Sequence, residues 1–380
     1  MMSRPIPDRY LVPVLVVIVG VAALLPLGRM DAISAGLLAN AGAYDLQAIG
    51  QLLLAVGVIG LGISLKQLPG TSGVLMAVGG ILLGWILLQR VWSGLHFTGA
   101  IGLWLLLAVI VVDLWLAMSK LAARSHVVAR LIVPLLFGGV LIYLWEVLAV
   151  GFDVPQVLLP SPSEIARVVG ANTDILWIDF HQTFIKAVIP GYFMGCAIGF
   201  LVAVAIDRSD FLQRGLLPIG GAISAMPIVG IAPIMVMWFG FDWHSKAAVV
   251  VIMTFFPMMV NTLAGLQYAG AMERELMRSY AATYRQELIK LRLPGALPFV
   301  FNALKLNSTL ALIGAIVAEF FGTPIQGMGF RISTEVASMD IDMVWATIVV
   351  AAAAGSISYG LLALLERAVT FWHPSMRGAG

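Results

Sequence analysis

Three carboxylates, Asp113, Glu146 and Glu319, fall in or beside long apolar runs of this chain. An ionisable group at membrane depth is a functional hypothesis by default, because its desolvation must be offset by a partner or by a use. Proton carriage is one such use. A solvated or capped carboxylate is the alternative, and all three residues stand near the ends of their runs. Other chemistry finds less support. The five histidines, His96, His126, His181, His244 and His373, are scattered without the spacing that brings two onto one metal ion. The single cysteine, Cys196, lies among small residues and reads as packing. No Ser-His pairing or close carboxylate pair suggests a membrane-embedded enzyme. No Gly-Lys dipeptide occurs, so the phosphate-cradling loop G-x-x-x-x-G-K-[ST] is missing, and no cofactor or metal is expected on this chain.

The elements that must position these residues follow from composition. Of 380 residues, 61% are hydrophobic and 11% charged, with a mean hydropathy of +0.99, whereas soluble domains carry about 25% charged residues. A soluble enzyme and a disordered chain are both excluded. A net charge of +2 argues against a nucleic-acid binder. The class expected is an all-α polytopic membrane protein. Ten apolar runs approach the roughly 20 residues a spanning helix needs. They lie at about 10–28, 46–65, 72–89, 98–118, 131–151, 185–206, 214–239, 245–267, 297–320 and 344–366. The first follows Arg4, Asp8 and Arg9 but lacks a small-residue cleavage site, so it is expected to be retained. Lys and Arg accumulate on the cytoplasmic side. With the N-terminus inside, fifteen of the 22 basic residues fall in inside segments and six outside, which places both termini in the cytoplasm. Lys305 lies within a span.

Two connections stand out. Ser161-Pro162-Ser163-Glu164, in the outer stretch of about 152–184, reads as a helix start with Ser161 as cap. The cytoplasmic segment of about 268–296 carries five basic residues, with Leu276, Tyr280, Tyr284 and Leu288 recurring every four residues. That spacing predicts one helix from about Glu275 to Glu287 with an apolar face, ended by Leu293-Pro294.

This segment resembles the cytoplasmic coupling motif of binding-protein-dependent ABC importer permeases. Glu275 takes the Glu position, Ala281 the Gly position, Leu291 the Ile position, and Leu293-Pro294 the end. Leu276 and Met277 stand where the motif has two alanines. Further segments resemble the nitrate, taurine, alkanesulfonate and bicarbonate branch of that family: Leu159-Pro160-Ser161-Pro162-Ser163-Glu164-Ile165, Ile231-Ala232-Pro233 with Trp238-Phe239-Gly240, Phe256-Pro257 with Asn261-Thr262, and Ala311-Leu312-Ile313-Gly314 with Val317-Ala318-Glu319. Their order and spacing fit over about residues 131–370.

The resemblance implies a six-helix permease core in residues 126–380, preceded by an accessory four-span domain in residues 1–125. It also implies a bacterial inner-membrane importer of a small anion or small organic solute. Its partners would be a second permease copy, a periplasmic binding protein, the bilayer, and two ATP-binding subunits that carry ATP and magnesium. Glu275, Leu276, Arg278, Tyr280, Ala281, Ala282, Tyr284, Arg285, Leu293 and Pro294 are the expected ATPase-coupling residues. Gly220, Gly221, Pro227, Gly230 and Pro233 concentrate helix breakers in the run at 214–239. They mark either a broken helix along a pathway or a kink for close packing. Met226, Pro227, Pro233, Met235, Met237, Phe255, Phe256, Met259, Asn261 and Asn307 are the candidate lining, with core packing as the plainer reading. An ion-coupled secondary transporter using Glu146 and Glu319 is the alternative function, although no internal repeat is visible.

Overall fold

A computed structural model describes residues 59, 69–92, 101–123, 127–224, 226–322 and 325–372. Regular structure among them is entirely helical. The runs expected at 72–89, 98–118 and 131–151 are helices α1 (Pro69–Trp92), α2 (Ile101–Ala122) and α3 (Val127–Gly151). The expected runs at 10–28 and 46–65 fall, Ile59 apart, outside the described residues. Contacts divide the chain into two compact units, Met1–Glu164 and Ile165–Gly380.

In the first unit, α1, α2 and α3 share a core that includes Met76, Leu83, Leu87, Ile110 and Val147. Glu146 is buried and fully engaged. Trp92 Nε1 donates to it at 2.9 Å, and the Ser163 N–H and hydroxyl donate at 2.8 and 2.7 Å. Helix α4 (Pro162–Ala171) starts as expected, with the Glu164 N–H donating to Ser161 Oγ at 3.4 Å. Asp113 is neither solvated nor capped, contrary to expectation. It is wholly buried in α2, and neither carboxyl oxygen has a hydrogen-bond partner.

The second unit is built around two very long helices. Helix α5 (Thr173–Asp207) has 35 residues and α10 (Tyr284–Glu319) has 36, each longer than its apolar run at 185–206 or 297–320. The apolar run of α5 is preceded by polar residues such as Asp179, Gln182 and Thr183, which the fold buries. Both helices contain a π-helical stretch, His181–Val188 in α5 and Leu288–Arg292 in α10. The run at 214–239 is broken. It forms α6 (Asp210–Ser224) and α7 (Ile228–Phe239), with Pro227 extended between them. Helices α8 (Trp243–Gln267), α9 (Ala271–Ser279), α11 (Met328–Ala337) and α12 (Ile341–Val369) complete the unit. Among the described residues, six helices are long and apolar enough to cross a membrane.

Helices α5, α8 and α10 pack against one another. Gly191, Gly195 and Gly199 recur every four residues on α5 and present bare backbone to α8, the small-xxx-small device of membrane helices. A Cβ at Gly191 would lie 2.7 Å from Ala247 O, and one at Gly195 would overlap Thr254 Oγ1. Further along α8, a Cβ at Gly265 would come within 3.0 Å of Ala296 on α10.

Candidate functional site

Polar groups tie α5, α8 and α10 together at three levels. At mid-length, the buried Asn307 amide of α10 donates to Thr254 O of α8 at 2.8 Å and to Cys196 Sγ of α5 at 3.3 Å. A buried amide costs free energy unless it is bonded, and here it links all three helices. Cys196 is buried, as its small neighbours suggested. Nearby, Lys305 pairs with Glu366 of α12 at 2.6 Å.

At one end, Thr183 donates to Glu319 at 2.8 Å while accepting from the Met328 N–H at 2.7 Å. The Gly329 N–H donates to Glu319 at 2.7 Å, and the Gly327 N–H donates to Asp179 at 2.7 Å. Arg331 Nε also donates to Asp179, at 2.8 Å. Two carboxylates thus cap the N-terminus of α11, where unpaired N–H groups and the helix dipole favour negative charge. A Cβ at Gly327 would lie 2.7 Å from the Glu319 carboxyl, so the close approach needs glycine there. Glu319 is therefore a buried capping carboxylate. Lys246, also buried, donates to Phe241 O at 2.6 Å and to Asp242 O at 3.2 Å.

At the opposite end of the same helices lies the segment from Ala271 to Arg292. The single helix expected from Glu275 to Glu287 is absent. Helix α9 stops at Ser279, Ala281 takes a left-handed φ of 53°, and a new helical segment starts at Tyr284. The turn is a Schellman motif, in which the Ala282 N–H reaches Met277 O at 3.0 Å and the Ala281 N–H reaches Arg278 O at 2.9 Å. Thr283 and Gln286 then form a reciprocal capping box. The Thr-x-x-Gln spacing was legible beforehand as a helix start, and it outweighs the four-residue recurrence of Leu276, Tyr280 and Tyr284. Leu293-Pro294 does not end a helix. The preceding turn is π-helical, with the Leu293 N–H bonded to Leu288 O, and α10 runs on through both residues.

This segment is anchored on one side and bare on the other. Arg292 is buried, pairs with Asp207 at the end of α5, and donates through Nε to Leu266 O of α8 at 2.9 Å. The Tyr284 hydroxyl donates to Asp207 at 2.9 Å, and Arg274 donates to Gln267 O at 3.1 Å. Sequence alone offered no sign that residues so far apart as Asp207 and Arg292 would meet. Met272, Leu276 and Tyr280 are meanwhile largely exposed, with Tyr280 at 79%. Glu275, Arg278, Ala281 and Arg285 are exposed as well, Ala282 is half-buried, and Leu293 and Pro294 are half-buried at the foot of α10.

The pathway candidates separate into two groups. Met226, Pro227 and Met237 are exposed, Met237 at 83%. Met235, Met259 and Asn307 are buried within helix contacts, and Pro233 is half-buried. Phe255 and Phe256 pack beside the core of Ala203, Met259 and Leu263. Asn261 bonds within α8, its amide donating to Pro257 O at 2.8 Å.

Comparison with known proteins agrees with this architecture. Residues 195–371 match the family described as binding-protein-dependent transport system inner membrane component. A probable ABC transporter permease protein of Haemophilus influenzae is 29% identical over 221 residues, covering 58% of this chain and 89% of the relative. The formylaminopyrimidine transport permease protein ThiX of Halalkalibacterium halodurans is 30% identical over 240 residues, covering 63% of this chain and 95% of the relative. The chain belongs to this permease family. A putative aliphatic sulfonates transport permease protein, SsuC of Bacillus subtilis, is 28% identical over 250 residues, covering 64% of this chain and 88% of the relative. The permease is an integral membrane protein. The left-handed φ at Ala281 is the conformation that glycine adopts without strain.

Proposed function

We propose that the chain is the membrane subunit of an ATP-driven importer and that residues 271–287 are its contact with the ATPases. Two copies of the permease form the pathway, each meeting one of two ATP-binding subunits, and a periplasmic binding protein delivers the solute. ATP and magnesium bind the ATPases, and the permease itself performs no chemistry. Both termini and the 268–296 segment face the cytoplasm. Residues 126–380 form the transport core, and residues 1–125 form an accessory domain that brings the spans to ten. The exposed residues Met226 and Met237, with the break at Pro227, face the partner copy and the pathway. The substrate is a small anion or small organic solute. Relatives named for aliphatic sulfonates and for formylaminopyrimidine support that size range.

The observation that carries this reading is the α9 segment itself. It exposes Met272, Leu276 and Tyr280 beside a turn fixed by Ala281, and an apolar stripe of this kind is stable in water only when something covers it. The alternative of ion-coupled transport through Glu146 and Glu319 loses its motive, because both carboxylates are occupied as acceptors. The test is Ala281→Lys in the assembled complex. A longer side chain at a left-handed position beside the contact is expected to release the ATPases or to uncouple hydrolysis from uptake, with insertion intact. Wild-type uptake together with retained ATPases would refute the assignment.

A further inference from the structure

We propose that Arg292 is a positioning residue that locks the foot of α10, and through it the adjoining α9 segment, to α5 and α8, so that all four move as one body. The inference rests on the reading that this segment meets the ATPases.

A contact segment on a flexible stalk would absorb movement. Here the stalk is bolted at several points. Leu266 belongs to the last turn of α8, whose carbonyls have no partner within the helix. Arg292 Nε fills Leu266 O at 2.9 Å, and Arg274 reaches the same oxygen at 3.4 Å from the other side of the turn. Arg292 spends its other arm on Asp207, the last residue of α5, which also accepts from Tyr284 at 2.9 Å. One planar guanidinium therefore holds the ends of α5 and α8 at a set separation while belonging covalently to α10. A lysine ammonium lacks that fixed fork. Behind the joint, the three helices have no freedom to slide. The α5 glycines bring their backbone into contact with α8, and Gly265 does the same between α8 and α10. Interiors packed this closely transmit displacement rather than absorbing it.

Arg292→Lys separates position from charge, since it keeps a cation beside Asp207 but cannot also satisfy Leu266 O in the same geometry. The test uses the full permease with its ATPases and binding protein in lipid nanodiscs, with Cys196→Ser and spin labels at Ser279 and Leu201, both exposed. In the otherwise unaltered permease, the distance between labels should stay within about 2 Å across nucleotide states, the bound below which partners count as moving rigidly. With Arg292→Lys the distance should change with nucleotide. The stimulation of ATP hydrolysis by loaded binding protein should then fall about tenfold, the scale of one inter-site coupling, while the ATPases still copurify. Asp207→Asn should act in the same direction. A nucleotide-dependent distance in the unaltered permease would overturn the proposal, as would undiminished stimulation in Arg292→Lys. Failure of the unaltered permease to retain ATPases would be a separate result that removes the docking reading and this joint with it.

Discussion

The two ends of the α5, α8 and α10 trio each use an aspartate–arginine pair beside a π-helical stretch, yet they differ in what surrounds the pair. At the Glu319 end, Asp179 and Glu319 accept from three backbone or hydroxyl donors belonging to Thr183, Gly327 and Gly329, and the two carboxylates close off the N-terminus of α11. At the Asp207 end, the pair with Arg292 is buried on both sides, but the segment it anchors turns large apolar side chains outward. Matching polar chemistry therefore serves closure in one place and connection in the other. Whether a buried ion pair faces an internal helix terminus or an exposed stripe says more about its use than the pair itself does.

Three measurements sharpen this contrast. The largest effect is expected from Glu319→Ala. It strands the Thr183 hydroxyl and the Gly329 N–H in the interior, at about 1–3 kcal/mol for each unsatisfied group. Thermal unfolding in detergent should shift sharply downward while ATPase copurification persists in the folded fraction. An unshifted transition would mean that this end is not a lock. Next is Gly195→Ala, whose added methyl would overlap Thr254 Oγ1 midway between the ends. Overpacking of this kind costs about 1–3 kcal/mol, and it should lower stability and coupling together, because both ends depend on the same packed helices. If stability falls while coupling holds, the two ends do not communicate through the trio. The smallest effect is expected from Ala281→Gly. It relieves the roughly 1 kcal/mol that a left-handed conformation costs an L-residue, partly offset by the greater freedom of glycine in the unfolded chain. A rise in the unfolding midpoint of a degree or two, with transport unchanged, is the expected reading. A fall would place the turn in another conformation.

Much of this molecule was legible in its sequence. The helix start at Ser161-Pro162 and the break in the run at 214–239 both announced themselves through residue type and spacing. Where the reading failed, long-range partners decided the outcome. Thr173–Val188 looked too polar to extend a span, but Asp179 and Thr183 are satisfied by residues well over 100 positions away. The four-residue recurrence of Leu276, Tyr280 and Tyr284 suggested one helix, but local capping at Thr283 competed with it and prevailed. Asn307, a candidate for the pathway wall, is a cross-link, because an amide does not disclose whether water or a neighbouring carbonyl will meet it. The spacing of Gly191, Gly195 and Gly199 is itself a sequence signal of close helix contact.

The π-helical turn at Leu288–Arg292 sets a phase as well as a path. An α-helix advances about 100° and 1.5 Å per residue, and a π turn holds one residue more than the α turn it replaces. Removing one residue between Leu288 and Lys290 would let ordinary α-helix run through the stretch. The residues on either side would then keep their phase about the axis of α10, because one full turn replaces another with a residue fewer. The direction in which Leu276 and Tyr280 point is thus held by a turn that absorbs one extra residue, and forcing that turn into α geometry at unchanged length would swing the surface by about 100° without altering any residue on it.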